Sequence, residues 1–184
     1  MRKKLLFGFL ALVILLGSAV WYLNYLNRTR SPQGEANLEI AGLSINVYYS
    51  RPSVKGRQIF GEGEEALQPF GVYWRLGANE STEFEFSAPV TIWGNNLTKG
   101  RHKVYCYPGA KSFQFAFAPA DGAWGYSEPN PDLEYFRIDV PVNQLEKSVD
   151  QFTITPRASS DGLGIDVHCD FDTYRLTLPF KTSP

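Results

Sequence analysis

The sequence predicts an all-β domain, an antiparallel β-sandwich of jelly-roll-like type, preceded by one N-terminal transmembrane helix. Three observations predict it. Residues 5–23 form an uncharged and almost wholly apolar run behind Arg2, Lys3 and Lys4. Beyond that run, apolar side chains alternate with polar ones at the period of a strand, segment after segment. Turn-forming residues punctuate the segments at Asn95-Asn96, Pro108-Gly109, Asp121-Gly122 and Ser160-Asp161-Gly162. No later segment keeps a helical period of useful length. Roughly ten short strands with one apolar face each bury those faces only by pairing two sheets or closing a barrel.

The elements follow in order. Residues 1–26 are read as the anchor: an uncharged stretch of this length crosses a hydrocarbon core as a helix. The basic cluster ahead of it favours a cytoplasmic N-terminus. Trp21, Tyr22 and Tyr25 lie at the far end, where an interfacial aromatic belt belongs. The alternative is a cleaved signal peptide ending near Gly17-Ser18-Ala19, against which the apolar run continues into bulky aromatics. No cysteine follows the run closely enough for a lipid anchor. Residues 27–36, polar with a proline and a glycine, read as a tether, and 37–184 as one domain outside the cytoplasm, long enough to bury its own core.

Within the domain, Ile45, Val47 and Tyr49 share a face, as do Phe84 and Phe86, Val90 and Ile92, Val104 and Cys106, and Phe113, Phe115 and Phe117. Phe136, Ile138 and Val140 follow, then Phe152 and Ile154, residues 163–169 and residues 174–180, with a change of direction expected near 170–173. The longest stretch without alternation, residues 50–71, carries Arg51, Lys55 and Arg57 and then Glu62, Glu64 and Glu65. Long loops in compact domains are uncommon and often functional.

Charge narrows the function. Five of the 18 basic residues flank the anchor, which leaves 13 against 19 acidic ones in the domain. A nucleic-acid binder shows the opposite balance, and nucleic acid is not an expected partner. Cys106 and Cys169, the only cysteines, are an even count in a compartment that permits a disulfide. Two buried thiols are the alternative reading.

Chemistry concentrates in Tyr49-Ser-Arg-Pro-Ser-Val-Lys-Gly-Arg57 and Trp74-Arg-Leu-Gly-Ala-Asn-Glu80-Ser-Thr82. The parity of Phe84 and Phe86, carried backward, turns Thr82 and Glu80 toward the core. A carboxylate there needs a cation or hydrogen-bond donor, for which Arg51, Arg57 and Arg75 are candidates. Either these groups fasten the long loop to the sheet, or Arg51, Arg57, Arg75, Asn79 and Glu80 form a polar pocket for an anionic or hydroxylated ligand. Trp93, Trp124 and Tyr126 are candidate aromatic platforms for a glycan, or packing residues at a sandwich edge. His168, Asp170 and Asp172 alternate on one strand, a spacing open to metal ligands; a solvated outer face is the stronger reading, and neither metal nor cofactor is indicated. No nucleophile elbow, phosphate loop, zinc-protease helix or dinucleotide fingerprint is present.

The order Tyr-Ser-Arg-Pro-Ser-Val-Lys-Gly-Arg, then Ile59-Phe-Gly61, then Trp-Arg-x-Gly-Ala-Asn-Glu-x-Thr resembles the bacterial family catalogued as domain of unknown function 2911. The resemblance continues through Val90-Thr-Ile-Trp-Gly94, residues 105–109, Trp124-Gly-Tyr126 and residues 152–154, and covers roughly residues 43–180. It implies an exported, anchored or lipidated β-domain and supplies no catalytic residues. Three departures stand out: Thr98-Lys-Gly-Arg-His102 in place of a smaller turn, Phe113 where a Trp is usual, and Cys169-Asp170 where Trp-Glu is usual. Cys106 is also atypical, which favours the two cysteines having arrived as a pair. The expected function is a non-catalytic binding or interaction module in the bacterial envelope, its partner a small anionic or glycan ligand or another envelope protein. An envelope hydrolase acting on glycan or another surface polymer is the alternative.

Overall fold

A computed structural model describes residues 2–183. One helix, α1 (Arg2–Arg30), is followed by eleven strands: β1 (Gln33–Ile40), β2 (Leu43–Ser50), β3 (Phe60–Gly61), β4 (Gln68–Pro69), β5 (Thr82–Phe86), β6 (Val90–Ile92), β7 (Asn95–Leu97), β8 (Gly100–Tyr107), β9 (Ser112–Pro119), β10 (Phe136–Ala158) and β11 (Gly164–Thr182). Nine of them run in the hydrogen-bonded order β1-β2-β5-β8-β9-β10-β11-β6-β7, every pairing antiparallel. The two-residue strands β3 and β4 pair separately and in parallel.

The sandwich arises because β10 belongs to both layers. It pairs with β9 over 136–141 and with β11 over 142–158. The switch falls at Pro141, a residue with no amide hydrogen to give a central ladder. Side chains from the two layers then meet: Phe180 of β11 lies 4.9 Å from Phe86 and 6.0 Å from Phe84 of β5, between ring centroids. Trp74, Phe60, Phe152 and Phe171 make a second aromatic knot between the layers. Each such ring contributes about 1.5–3 kcal/mol on burial, and their number explains why a domain without disulfides holds together.

The opposite edge is stitched by side chains. The Tyr49 hydroxyl accepts from the Ile154 amide at 3.1 Å, and Arg51 donates to the Phe152 carbonyl and the Thr153 hydroxyl. Arg51 is thereby a fastener between layers. The stretch 50–71 is accordingly well anchored, with Ile59, Phe60 and Ala66 buried in the core.

Several expectations change. Cys106 and Cys169 are free thiols, both buried. Burial pushes both thiols up, so they stay protonated and pack as small apolar groups. No turn occurs at 170–173: β11 runs straight through, with Asp172 at φ 53° marking a bulge where its register against β10 slips. Asn95 and Asn96 lie in β7, and the hairpin turns instead at Trp93 and Gly94, both at positive φ as a tight hairpin requires. The polar stretch 27–36 is regular structure almost throughout, helix to Arg30 and strand from Gln33. Only Ser31 and Pro32 separate α1 from the sandwich.

Candidate functional site

A cleft of about 370 Å³ opens where the end of α1 meets the sandwich. Asn27 and Ser31 form its helix side, Arg57 and Gln68 come from the 50–71 stretch, Arg75 and Asn79 from the turn before β5, and Trp124 and Tyr126 from the loop after β9. It continues into a neighbouring hollow lined by Arg30, Lys55 and again Arg57.

Backbone contacts place these groups. Trp74 is locked into the core by mutual amide–carbonyl bonds with Cys106, which turns the next residue, Arg75, outward. Gly77, at φ 145°, lets the chain pass so close to Ser50 that a Cβ would lie 2.7 Å from its carbonyl oxygen. The loop after β9 is pinned here by the Ser81 amide donating to the Ala123 carbonyl and the Gly125 amide donating to the Asn79 carbonyl. A Cβ on Gly125 would press on the Arg75 side chain at 3.1 Å, so this glycine lets Trp124 and Tyr126 flank the guanidinium.

Arg75 is the unusual group. Its Nη1 donates to the Asn79 carbonyl at 3.2 Å, and its guanidinium lies 5.7 Å from the centre of the Tyr126 ring. Burial lowers its pKa, yet an arginine remains charged at any physiological pH. Among the described residues no carboxylate lies within salt-bridge distance of Arg75, Arg57, Lys55 or Arg30, and none lines either hollow. Arg57 donates only to the carbonyls of Ser53 and Val54. Gln68 Oε1 is closed off from solvent with no partner. In the same lining, burial pushes the Tyr73 hydroxyl up to about 12, so it stays a neutral donor, here to the Gly125 carbonyl.

The expected site residues divide accordingly. Arg57, Arg75, Asn79, Trp124 and Tyr126 come together on one cleft. Arg51 lies off it, holding β10. Glu80 pairs with none of the three arginines named for it. Its carboxylate takes Arg28 of α1 at 2.5 Å and the Ser50 hydroxyl at 3.4 Å, while the Asn79 amide donates to the Asn27 and Ser31 carbonyls at the helix end. Asn79 and Glu80 thus dock the helix end, one through backbone carbonyls at the α1 terminus and the other through the Arg28 guanidinium. Trp93 is half exposed on the β6–β7 hairpin and does not line the cleft. His168, Asp170 and Asp172 are engaged separately, with Thr177, Arg175 and Ser148.

Sequence reasoning missed Asn27, Arg30 and Ser31. Their signal was the shortness of the link between anchor and first strand, hidden by its polar composition.

No curated protein and no solved structure matches the chain. A family model described as "Protein of unknown function (DUF2911)" matches residues 31–180, the sandwich from the residue after α1 to within two residues of the end of β11. The chain therefore belongs to the DUF2911 family.

Proposed function

We propose that this protein is a membrane-anchored binding module of the bacterial envelope, its domain outside the cytoplasm and its site the cation-lined cleft, which takes an anionic ligand. The observation that carries this reading is the lining: Arg30, Lys55, Arg57 and Arg75 with no carboxylate among them, in a domain whose acidic residues outnumber its basic ones. Arg75 is half-buried, and such a charge without a partner is costly to keep, while Arg30, Lys55 and Arg57 are exposed around it and add their field to the same mouth. Guanidinium groups offer paired donors suited to phosphate or carboxylate, and Trp124 and Tyr126 give flat apolar walls beside them. The anchor supports the address. α1 carries a 25-residue stretch, Leu6–Arg30, long and apolar enough to cross a bilayer, with basic residues before it.

Hydrolysis of a glycan calls for two carboxylates, or a carboxylate and a histidine, at the substrate. The lining contributes neither, so binding is the better supported reading. Calorimetric titration of the full chain in non-ionic detergent with inorganic pyrophosphate tests it. Saturable binding that weakens with salt and disappears in Arg75→Ala is expected. Equal heats from wild type and variant, or none from either, would remove the assignment.

A further inference from the structure

The cleft does not end at its cations. Asn27 and Trp124 line it and also line an apolar groove along α1, whose other walls are Val20, Leu23 and Asn24. One surface therefore passes from the exposed side chains of Val20 and Leu23, past the Trp124 indole, to Arg75, Arg57, Lys55 and Arg30. Apolar, then aromatic, then cationic is the complement of an acyl chain, a glycerol and a phosphate laid end to end.

Depth agrees with that order. From Leu6 to Leu23 the helix rises about 27 Å, close to the ~30 Å thickness of a hydrocarbon core. A bilayer fitted to that run leaves Leu23 at its hydrocarbon edge. Arg30 then stands about 10 Å further along the axis, at the level of the headgroups. Trp21 and Tyr25, stacked at 5.9 Å, mark the same boundary from the helix surface. Because α1 itself walls the cleft, and Asn79 and Glu80 clamp its last turn, the cations are held in the headgroup layer. A phosphate arriving from that layer enters sideways, its chain remaining in the bilayer.

Resting on the anion-binding reading, we infer that the occupant is the phosphate headgroup of an anionic phospholipid of the extracytoplasmic leaflet, with one acyl chain lying on Val20 and Leu23 under Trp124. Aromatic walls and a cation set without carboxylates disfavour zwitterionic lipids, whose ammonium group would meet Arg30 and Lys55.

Native mass spectrometry of the full chain released from detergent tests this, with phosphatidylglycerol and phosphatidylcholine supplied together and soluble glycerol 1-phosphate as competitor. Retention of phosphatidylglycerol over phosphatidylcholine by about tenfold is expected, falling to near parity in Arg57→Ala/Arg75→Ala. Val20→Ala/Leu23→Ala, confined to the apolar groove, should weaken phosphatidylglycerol retention by about fivefold while leaving glycerol 1-phosphate affinity within about twofold. Near-UV circular dichroism establishes that each variant is folded. Glycerol 1-phosphate binding as tightly as the lipid, with Val20→Ala/Leu23→Ala silent, would leave the anion site standing and overturn the lipid assignment. An unchanged lipid preference in the double arginine variant would place the lipid elsewhere on α1 and overturn it too. Binding of neither phosphate compound would overturn both readings.

Discussion

Two arginines that pack against the loop after β9, Arg75 from the turn before β5 and Arg137 from β10, stack on tyrosines, and they live in opposite electrostatic conditions. Arg137 lies over Tyr107 at 4.6 Å and is fully engaged: Glu134 accepts its Nε at 2.5 Å and an Nη at 2.7 Å, and Gln114 and the Tyr107 hydroxyl take further bonds. Glu134 also takes the hydroxyl of Tyr105, a wholly buried residue, and Tyr107 donates to Glu128. Arg75, over Tyr126, has one backbone carbonyl and no acid. The first network closes on itself, as buried polar groups in a stable fold do. The second is left open. That difference separates a fastener from a binding site, because both clusters stack an arginine on a tyrosine and only the first supplies the acid.

The two sides of this contrast break differently. Glu134→Ala strips Arg137 of its charge partner and leaves the buried Tyr105 hydroxyl without an acceptor. It should lower unfolding free energy by about 2–3 kcal/mol, read from denaturant melts of the full chain in detergent. Acid should imitate that loss. Burial raises the Glu134 pKa, but bonds from Arg137 and Tyr105 outweigh it and hold the carboxyl below the usual glutamate range. A group depressed on folding stabilises above its unfolded pKa of about 4.3 and loses that contribution as pH falls through the folded value. Melting profiles between pH 6 and pH 3 should therefore decline less steeply in Glu134→Ala than in wild type. A smaller effect, about 0–1 kcal/mol, is expected for Glu80→Ala, whose Arg28 partner is 45% exposed at the helix end. Arg75→Ala should have the smallest effect on stability, within about 0.5 kcal/mol and due to lost packing against Gly125 rather than lost charge.

The two networks were unequally legible in the sequence. Period-two alternation placed Ile45, Val47, Phe84, Phe86 and Phe113 to Phe117 in the core because a half-buried strand has to alternate. The same parity turned Thr82 inward, where its hydroxyl donates to the Leu76 carbonyl. Parity could not assign partners. It brought Glu80 near three arginines close in sequence, whereas the bonded one comes from α1, 52 positions upstream. Nor could it find β1, an edge strand whose alternation is between half-buried and exposed residues and whose composition reads as a link. That omission concealed the short junction that makes α1 one wall of the cleft. The Glu134–Arg137 network escaped for a different reason: Glu134 lies in a short turn, and the tyrosines it serves project from the outer sheet face, which alternation alone assigns to solvent.

The central claim is that Arg75 is kept for a ligand and contributes little to the fold. Its most direct test is the melting temperature of wild type and Arg75→Ala, full chain in detergent, with and without phosphatidylglycerol. Nearly equal midpoints without lipid, a lipid-dependent rise in wild type by mass action, and no rise in the variant are expected. A variant that melts several degrees lower without lipid, yet gains as much from lipid as wild type, would contradict it and make Arg75 a fastener like Arg137.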